Sequence, residues 1–312
     1  MDRPASPSND MQKIRKPFRH YFMPKEAYIA VMGATGSGKS TFINCATGSD
    51  SEKVSDELAS CTREIKEATP FKLNGYKVRL IDTPGFDDTE RSEVEILRKI
   101  SDYLGQQYKS KRRLRGVIYL HRISDNRMGG IARRTFEIMQ NLCDVEEYSK
   151  GKADHLAIVT NMWSLPYTGT ELQREAQLKT DHRFFAPAIG AGAKYFKHEN
   201  TTLSAHDIIM NLLPTKRVVL DIQRELVVDK KSFPNTKVGQ VAKRHVEEDL
   251  RKFQKGMETV SADITKAKEQ GDVDVVEELQ DELTEYKKTI SRLLSDHQGL
   301  RTDSNVQVKS RA

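Results

Sequence analysis

The 312-residue chain has three cysteines, one tryptophan and no apolar run approaching the roughly 18 residues that span a membrane. Cys45, Cys61 and Cys143 form no spaced pair. That argues against a disulfide framework or a zinc site and favours a reducing compartment. No transmembrane segment is expected. The opening Met1-Asp2-Arg3-Pro4 carries no apolar leader, so a cytoplasmic location is the simplest expectation. Charge of one sign is also scarce: 51 Lys and Arg against 45 Asp and Glu leave a net +6. A surplus this small, spread along the chain, specifies no nucleic-acid partner. A phosphate-bearing ligand or an anionic membrane surface fits it equally well. Hydrophobic residues are 37% and charged residues 31%, so part of the chain should be solvated, charged helix rather than core.

What is present falls into four stretches. Residues 1–24 are rich in Pro, Ser, Asn and basic side chains and read as a disordered basic arm. From Tyr28 a β/α alternation begins. Strands are expected at 28–32, 78–81, 117–120, 156–160 and 194–196, with helices at 39–46, 94–108, 131–143, 171–179 and 203–213. A strand near 65–73 should pair with 78–81 through Asn74-Gly75, a hairpin turn signal. The fold class is α/β: a P-loop NTPase three-layer sandwich with a mostly parallel sheet, over 25–229. A C-terminal α-helical hairpin or coiled coil follows at 230–297. Phe253, Met257, Val260, Ile264 and Ala267 form one apolar seam; Val276, Leu279, Leu283, Tyr286, Ile290 and Leu293 form a second, out of phase. Gly271 stops the first helix, and Asp274 with Glu277 resembles a capping box. Residues 298–312 read as a disordered tail. The two seams are expected to satisfy each other, so that a chain ending near Asp229 would still fold.

Three motifs carry chemistry. Gly33-Ala34-Thr35-Gly36-Ser37-Gly38-Lys39-Ser40-Thr41 fits the P-loop pattern. Its glycines admit unusual dihedrals, so successive amides line one concavity and cradle phosphates. Lys39 then faces the β- and γ-phosphates, and Ser40 offers a hydroxyl to Mg²⁺. Asp82-Thr83-Pro84-Gly85 follows the apolar strand and supplies a second Mg²⁺ group at Asp82 and a γ-phosphate sensor at the Gly85 amide. Thr62, in the polar loop between, is either a plain loop threonine or a third Mg²⁺ ligand that closes when the γ-phosphate is present.

In this order the motifs resemble the translation-factor-related class of GTPases. The Gly-Phe-Asp-Asp run at 85–88 is similar to the septin, Toc and immunity-associated branch, and 119–128 resembles fungal G-domain proteins near it. The resemblance implies GTP or GDP with Mg²⁺ as cofactors. It also implies a guanine-nucleotide partner, pairing of G domains into a homodimer across the nucleotide face, and protein partners for the C-terminal helices. It places base recognition at Asn161-Met162-Trp163-Ser164. Here Asn161 matches the family, Met162 replaces a lysine, and Ser164 replaces the aspartate that reads guanine. Trp163 either stacks on a base or packs. Phe86 stands where many relatives have a water-orienting glutamine, so hydrolysis should be slow. His121, Arg122 and Arg127 lie just beyond a strand end facing the nucleotide crevice, where the arginines either stabilise phosphate charge or bond local carbonyls. Two other readings stay open: an ATP-binding or relaxed-specificity NTPase, and a non-hydrolysing module whose working part is the hairpin.

Overall fold

A computed structural model describes residues 25–48, 64–86, 91–125, 130–143 and 153–306. The arm at 1–24, Thr62 and Arg127 lie outside the described residues. Strand β1 (Lys25–Gly33) is the centre of the sheet. It pairs in parallel with β4 (Tyr76–Asp82) on one side and β5 (Leu114–Arg122) on the other. Beyond β5 come β6 (Leu156–Asn161) and β7 (Lys194–Lys197), also parallel. Two short strands, β2 (Lys66–Glu67) and β3 (Phe71–Leu73), run antiparallel on β4. The expected hairpin is therefore present, with its partner strand split in two. Asn74 and Gly75 both take positive φ, 47° and 77°, as a two-residue hairpin turn requires.

Alternate residues of β1 enter opposite layers. Ala27, Ile29 and Val31 pack with Phe42 and Ile43 of α1 (Lys39–Thr47) and Ile208, Ile209 and Leu212 of α6 (Thr202–Leu212). Tyr28, Ala30 and Met32 share a cluster with α2 (Glu93–Lys109) and α3 (Gly130–Cys143). Period-2 alternation with both faces apolar is what a parallel sheet covered on both sides demands. Helices α4 (Gly169–Thr180), α5 (Ala186–Gly190) and α7 (Asp221–Val227) complete the layers.

The C-terminal region is a helical hairpin of α8 (Lys237–Gln270) and α9 (Val273–Val306). At the turn, Gly271 has φ 75°; its N–H bonds to the Lys268 carbonyl and that of Asp272 to the Ala267 carbonyl. This is a Schellman close, and Gly271 ends the helix as expected. Asp274 sits inside the first turn of α9 rather than before it. The helix runs to Val306, past the expected boundary at 297. The expectation that the hairpin packs only on itself fails at its base. Val238, Val241, Ala242, Val246 and Leu250 of α8, with Leu293 and Leu300 of α9, belong to the same buried cluster as α2 and α3. Only the outer stretch, at Val260, Ile264 and Ala267, is buried outside either sheet cluster. No described helix is long and apolar enough to cross a membrane.

Candidate nucleotide site

The parallel sheet brings four loops to its C-terminal edge, and the sequence motifs occupy them. β1 delivers the phosphate loop. Gly33 has φ 152°, and a Cβ there would stand 2.4 Å from the Leu120 carbonyl oxygen. Gly36 and Gly38 take φ 70° and 84°. The loop thus needs its glycines for both close approach and left-handed backbone. Helix α1 opens on Gly38, which has no side chain to cap its first amides; an anion is the usual partner of such a terminus. Thr41 is half-buried in its first turn. Lys39 is buried, and its Nζ donates to the carbonyls of Ala34 at 2.8 Å and Gly33 at 3.3 Å. The ammonium is thereby arched back over the loop it follows.

β4 ends on Asp82, 1% exposed. Ser40 donates from Oγ to Asp82 Oδ2 at 3.1 Å. A hydroxyl and a buried carboxylate meeting beside the P-loop lysine are oxygen donors suited to Mg²⁺. Thr83 donates to the Val31 carbonyl at 2.9 Å and pins the strand end. Gly85 then lies against the phosphate loop: a Cβ there would stand 2.5 Å from Thr35 N and 2.6 Å from Thr35 Cα. Phe86 is turned away into the core at 2% exposure.

β5 ends on His121 and Arg122, which part company. His121 is buried, packs edge-on against Phe185, and is held neutral with its pKa depressed to about 4 by burial, then by the charge of Arg122. It serves the core and does not face the crevice. Arg122 pairs through Nε with Asp125 at 2.9 Å, and its Nη1 stands 3.3 Å from where a Gly36 Cβ would be. A guanidinium is thus clipped beside the phosphate loop within one chain. Arg174 of α4 donates to the carbonyls of Ile123 and Ser124 and braces this turn.

β6 ends on Asn161, whose Nδ2 donates to the Ser37 carbonyl and whose Oδ1 accepts from the Met162 amide. Met162 has φ 62° and a 39% exposed side chain. Trp163 donates from its indole N–H to Thr160, and its ring packs against Tyr167 with Lys197 Nζ 4.4 Å from the ring centroid. These contacts hold Trp163 as a packing residue. Ser164 is exposed, with its amide donating to Glu171 Oε1 at 2.9 Å.

Three residues of the site were missed in the sequence. Glu171 accepts from the amides of Ser164 and Thr168 and from the Thr168 hydroxyl, so one carboxylate shapes the whole 164–168 loop. Hydrogen bonds from the Thr168 backbone and then the Ser164 backbone lower its pKa to about 2. Thr168-x-x-Glu171 is a capping box, and that spacing was the available signal. Arg174 follows one turn later on α4. Glu199, in the loop after β7, accepts from the Tyr167 hydroxyl at 2.9 Å. It is an acidic group beside a base loop that has lost its aspartate; nothing local in the sequence marks it.

Residues 28–162 match the family model described as 50S ribosome-binding GTPase. GTP-binding protein A of Dictyostelium discoideum is 32% identical over 109 residues, covering 34% of this chain and 22% of that protein. GTPase Der of Buchnera aphidicola is 35% identical over 72 residues, covering 23% and 15%. The chain therefore spans about a fifth of the length of the curated relatives it matches. Among solved structures, Toc33 of Arabidopsis thaliana in complex with Mg²⁺ and GMPPNP is similar at 17% identity and TM-score 0.43, over 57% of this chain and 72% of that one. With the phosphate loop, the Ser40–Asp82 pair and the strand order all in place, the matched segment makes this chain a P-loop G-domain protein.

Proposed function

We propose that this protein is a Mg²⁺-dependent guanine-nucleotide-binding switch with slow intrinsic GTPase activity. The observation that carries the reading is the Ser40–Asp82 hydrogen bond beside Lys39 and the phosphate loop. Ser40 and Asp82 would hold Mg²⁺, with Thr62 as a third group from the preceding loop. Bound Mg²⁺ neutralises charge on the β- and γ-phosphates. Residues 33–41 would cradle the phosphates, and Gly85, resting on Thr35, would sense the third of them. Phe86 is buried and apolar, so it positions no water; slow turnover follows. Arg122 supplies a positive charge to the phosphate loop in cis, and Arg127 would join it from the same segment.

At the base end, Asn161 fixes the loop and Met162 offers an apolar cover. Ser164 brings no carboxylate. Glu199, hydrogen-bonded to Tyr167 of the same loop, supplies the acceptor pair for guanine in its place. The Gly-Phe-Asp-Asp run at 85–88 and the 119–128 segment support placement in the septin, Toc and immunity-associated branch. Pairing of two G domains across the nucleotide face and engagement of a protein partner by the outer hairpin belong to the same reading, as does a cytoplasmic site of action. The domain limits are 25–229 for the G domain, with the hairpin beyond.

The test is a titration of GDP, GTP and ATP with and without Mg²⁺, followed by phosphate release. Guanine-selective, Mg²⁺-dependent binding with slow release is expected. Equal affinity for ATP overturns guanine recognition, and binding without release overturns the GTPase assignment.

A further inference from the structure

A cavity of about 290 Å³ lies where the hairpin meets the G domain. Its walls include Phe86, Glu93 at the start of α2, Thr135 of α3, His245 of α8, and Arg292 and Asp296 of α9. Around it the hairpin is held largely by charged groups. His245 is 3% exposed, and its two ring nitrogens face Glu93 Oε1 at 3.0 Å and Glu137 Oε2 at 3.2 Å. An imidazole with a carboxylate on each nitrogen is satisfied only when both nitrogens carry protons. Arg134 of α3 donates to Asp249 at 2.7 Å and Glu248 at 3.3 Å, and Arg244 of α8 bonds to Glu137. Arg98 of α2 donates to the Gly299 carbonyl of α9.

One side chain in this wall belongs to the nucleotide site. Phe86 is joined by a single peptide unit to Gly85, and Gly85 rests on Thr35 of the phosphate loop. A γ-phosphate that takes the Gly85 amide enters beside that contact, and Phe86 moves with Gly85. In a close-packed seam such a shift would meet resistance at once; here a void lies next to the ring. Glu93 is the first residue of α2, seven positions on, so a displaced α2 start withdraws one of the two carboxylates from His245.

We infer that the α8–α9 hairpin is the domain's own reader of the phosphate state: a γ-phosphate at Gly85 shifts Phe86 into the cavity, loosens the His245 hold on Glu93 and Glu137, and weakens docking of the hairpin base. The inference rests on the guanine-nucleotide reading above and names the element that reading would regulate. It assigns α8 residues 238–250 two jobs, core and switch, and leaves the outer hairpin to report the change.

Amide hydrogen exchange on the full chain tests it, comparing GDP with Mg²⁺ and GMPPNP with Mg²⁺. Expected is faster exchange, by about tenfold or more, at 92–97 and 238–250 in GMPPNP, an opening that corresponds to about 1.4 kcal/mol. Protection of 33–41 by both nucleotides with exchange at 238–250 unchanged within twofold overturns the inference and leaves the functional reading standing. Protection of 33–41 by neither overturns both. Linkage supplies a second measurement. Glu137→Gln and His245→Gln weaken docking, so each should raise GMPPNP affinity relative to GDP by about fivefold or more. The half-exposed Glu137 keeps the test open if the His245 variant fails to fold. An unchanged affinity ratio in a folded variant overturns the coupling.

Discussion

Asn161 donates from Nδ2 to the carbonyl oxygen of Ser37 at 3.3 Å, tying the base-side loop directly to the phosphate loop. A Cβ on Gly38 would stand 2.3 Å from the same nitrogen, so the contact also requires glycine at that position. Asn161 is thus a brace between the two ends of the site. Base preference has to come from neighbours that do not touch the phosphate loop.

Those neighbours are Ser164 and Glu199. Glu199→Gln should reduce GTP preference over ATP by about tenfold, because a guanine N–H pair then lacks its carboxylate, a loss of about 1–3 kcal/mol. Ser164→Asp in that background should restore preference if the loop presents position 164 to the base. Competition between GTP and ATP in equilibrium binding decides this; an unchanged ratio in Glu199→Gln places base reading elsewhere.

Lys39→Ala removes the buried ammonium that now bonds Ala34 and Gly33. Charge-assisted contacts to phosphate are worth about 1.5–3 kcal/mol each, so triphosphate affinity should fall about 100-fold with the far-ultraviolet spectrum unchanged. Titration calorimetry reads it directly. Affinity within twofold of the parent would show that the phosphates bind elsewhere.

Truncation after Asp229 should not leave a well-folded domain, contrary to the expectation from the seams alone. It removes Val238, Ala242, Val246 and Leu250 from the cluster they share with α2 and α3. At about 1.5–3 kcal/mol for each larger side chain, the loss rivals a typical net stability of about 5–15 kcal/mol. Aggregation or a melting temperature lowered by more than about 10 °C is expected. A truncated protein that melts like the parent would show that the hairpin base is dispensable.

His245 makes stability depend on pH. Burial alone disfavours its charge, but the hydrogen bonds to Glu137 and Glu93 prevail over burial and over the repulsion of Arg134, and raise its pKa to about 9. Arg244 also lies in the cluster, on Glu137. Because the folded pKa lies above that of the unfolded chain, near 6.5, the stabilisation is complete below about 6.5 and is lost as pH rises through 9. Its size is on the order of 1–3 kcal/mol. Urea midpoints from pH 6 to 10 should fall across this window in the parent and stay flat in His245→Gln. Parallel curves would exclude His245 as the source.

Homodimer formation across the nucleotide face has a concrete form here. Arg122 is already clipped by Asp125 beside Gly36, so a second copy would add charge to a site that holds one arginine in cis. GTP with Mg²⁺, but not GDP, should shift the mass toward a dimer, and turnover per site should rise with concentration. Light scattering and phosphate release over a hundredfold concentration range check it. A monomeric mass in GMPPNP with constant specific activity rules the dimer out.

Much of the fold was legible because its signals are local. Gly33 to Ser40 demands a glycine-rich loop between a strand and a helix whatever surrounds it. Asn74-Gly75 demands a turn, and Gly271 a helix end, for the same backbone reason. The base of the hairpin was less legible. Val238, Ala242 and Val246 keep a helical four-residue spacing, but spacing says that a face is apolar and not what covers it. Reading the seam from Phe253 onward paired α8 with α9 alone.

The sequence by itself determined the phosphate loop, the strand order it implies, and the residues offered to Mg²⁺, because each follows from backbone geometry and side-chain chemistry within a few positions. Only the tertiary structure separated His121 from Arg122, one residue apart in sequence: strand alternation sends the imidazole into the core against Phe185 and the guanidinium to the phosphate loop. Only it placed Glu171 under the base loop, Glu199 beside Tyr167, and His245 between Glu93 and Glu137, over 100 residues away. Such contacts depend on which faces meet when the layers close, and no local pattern encodes that.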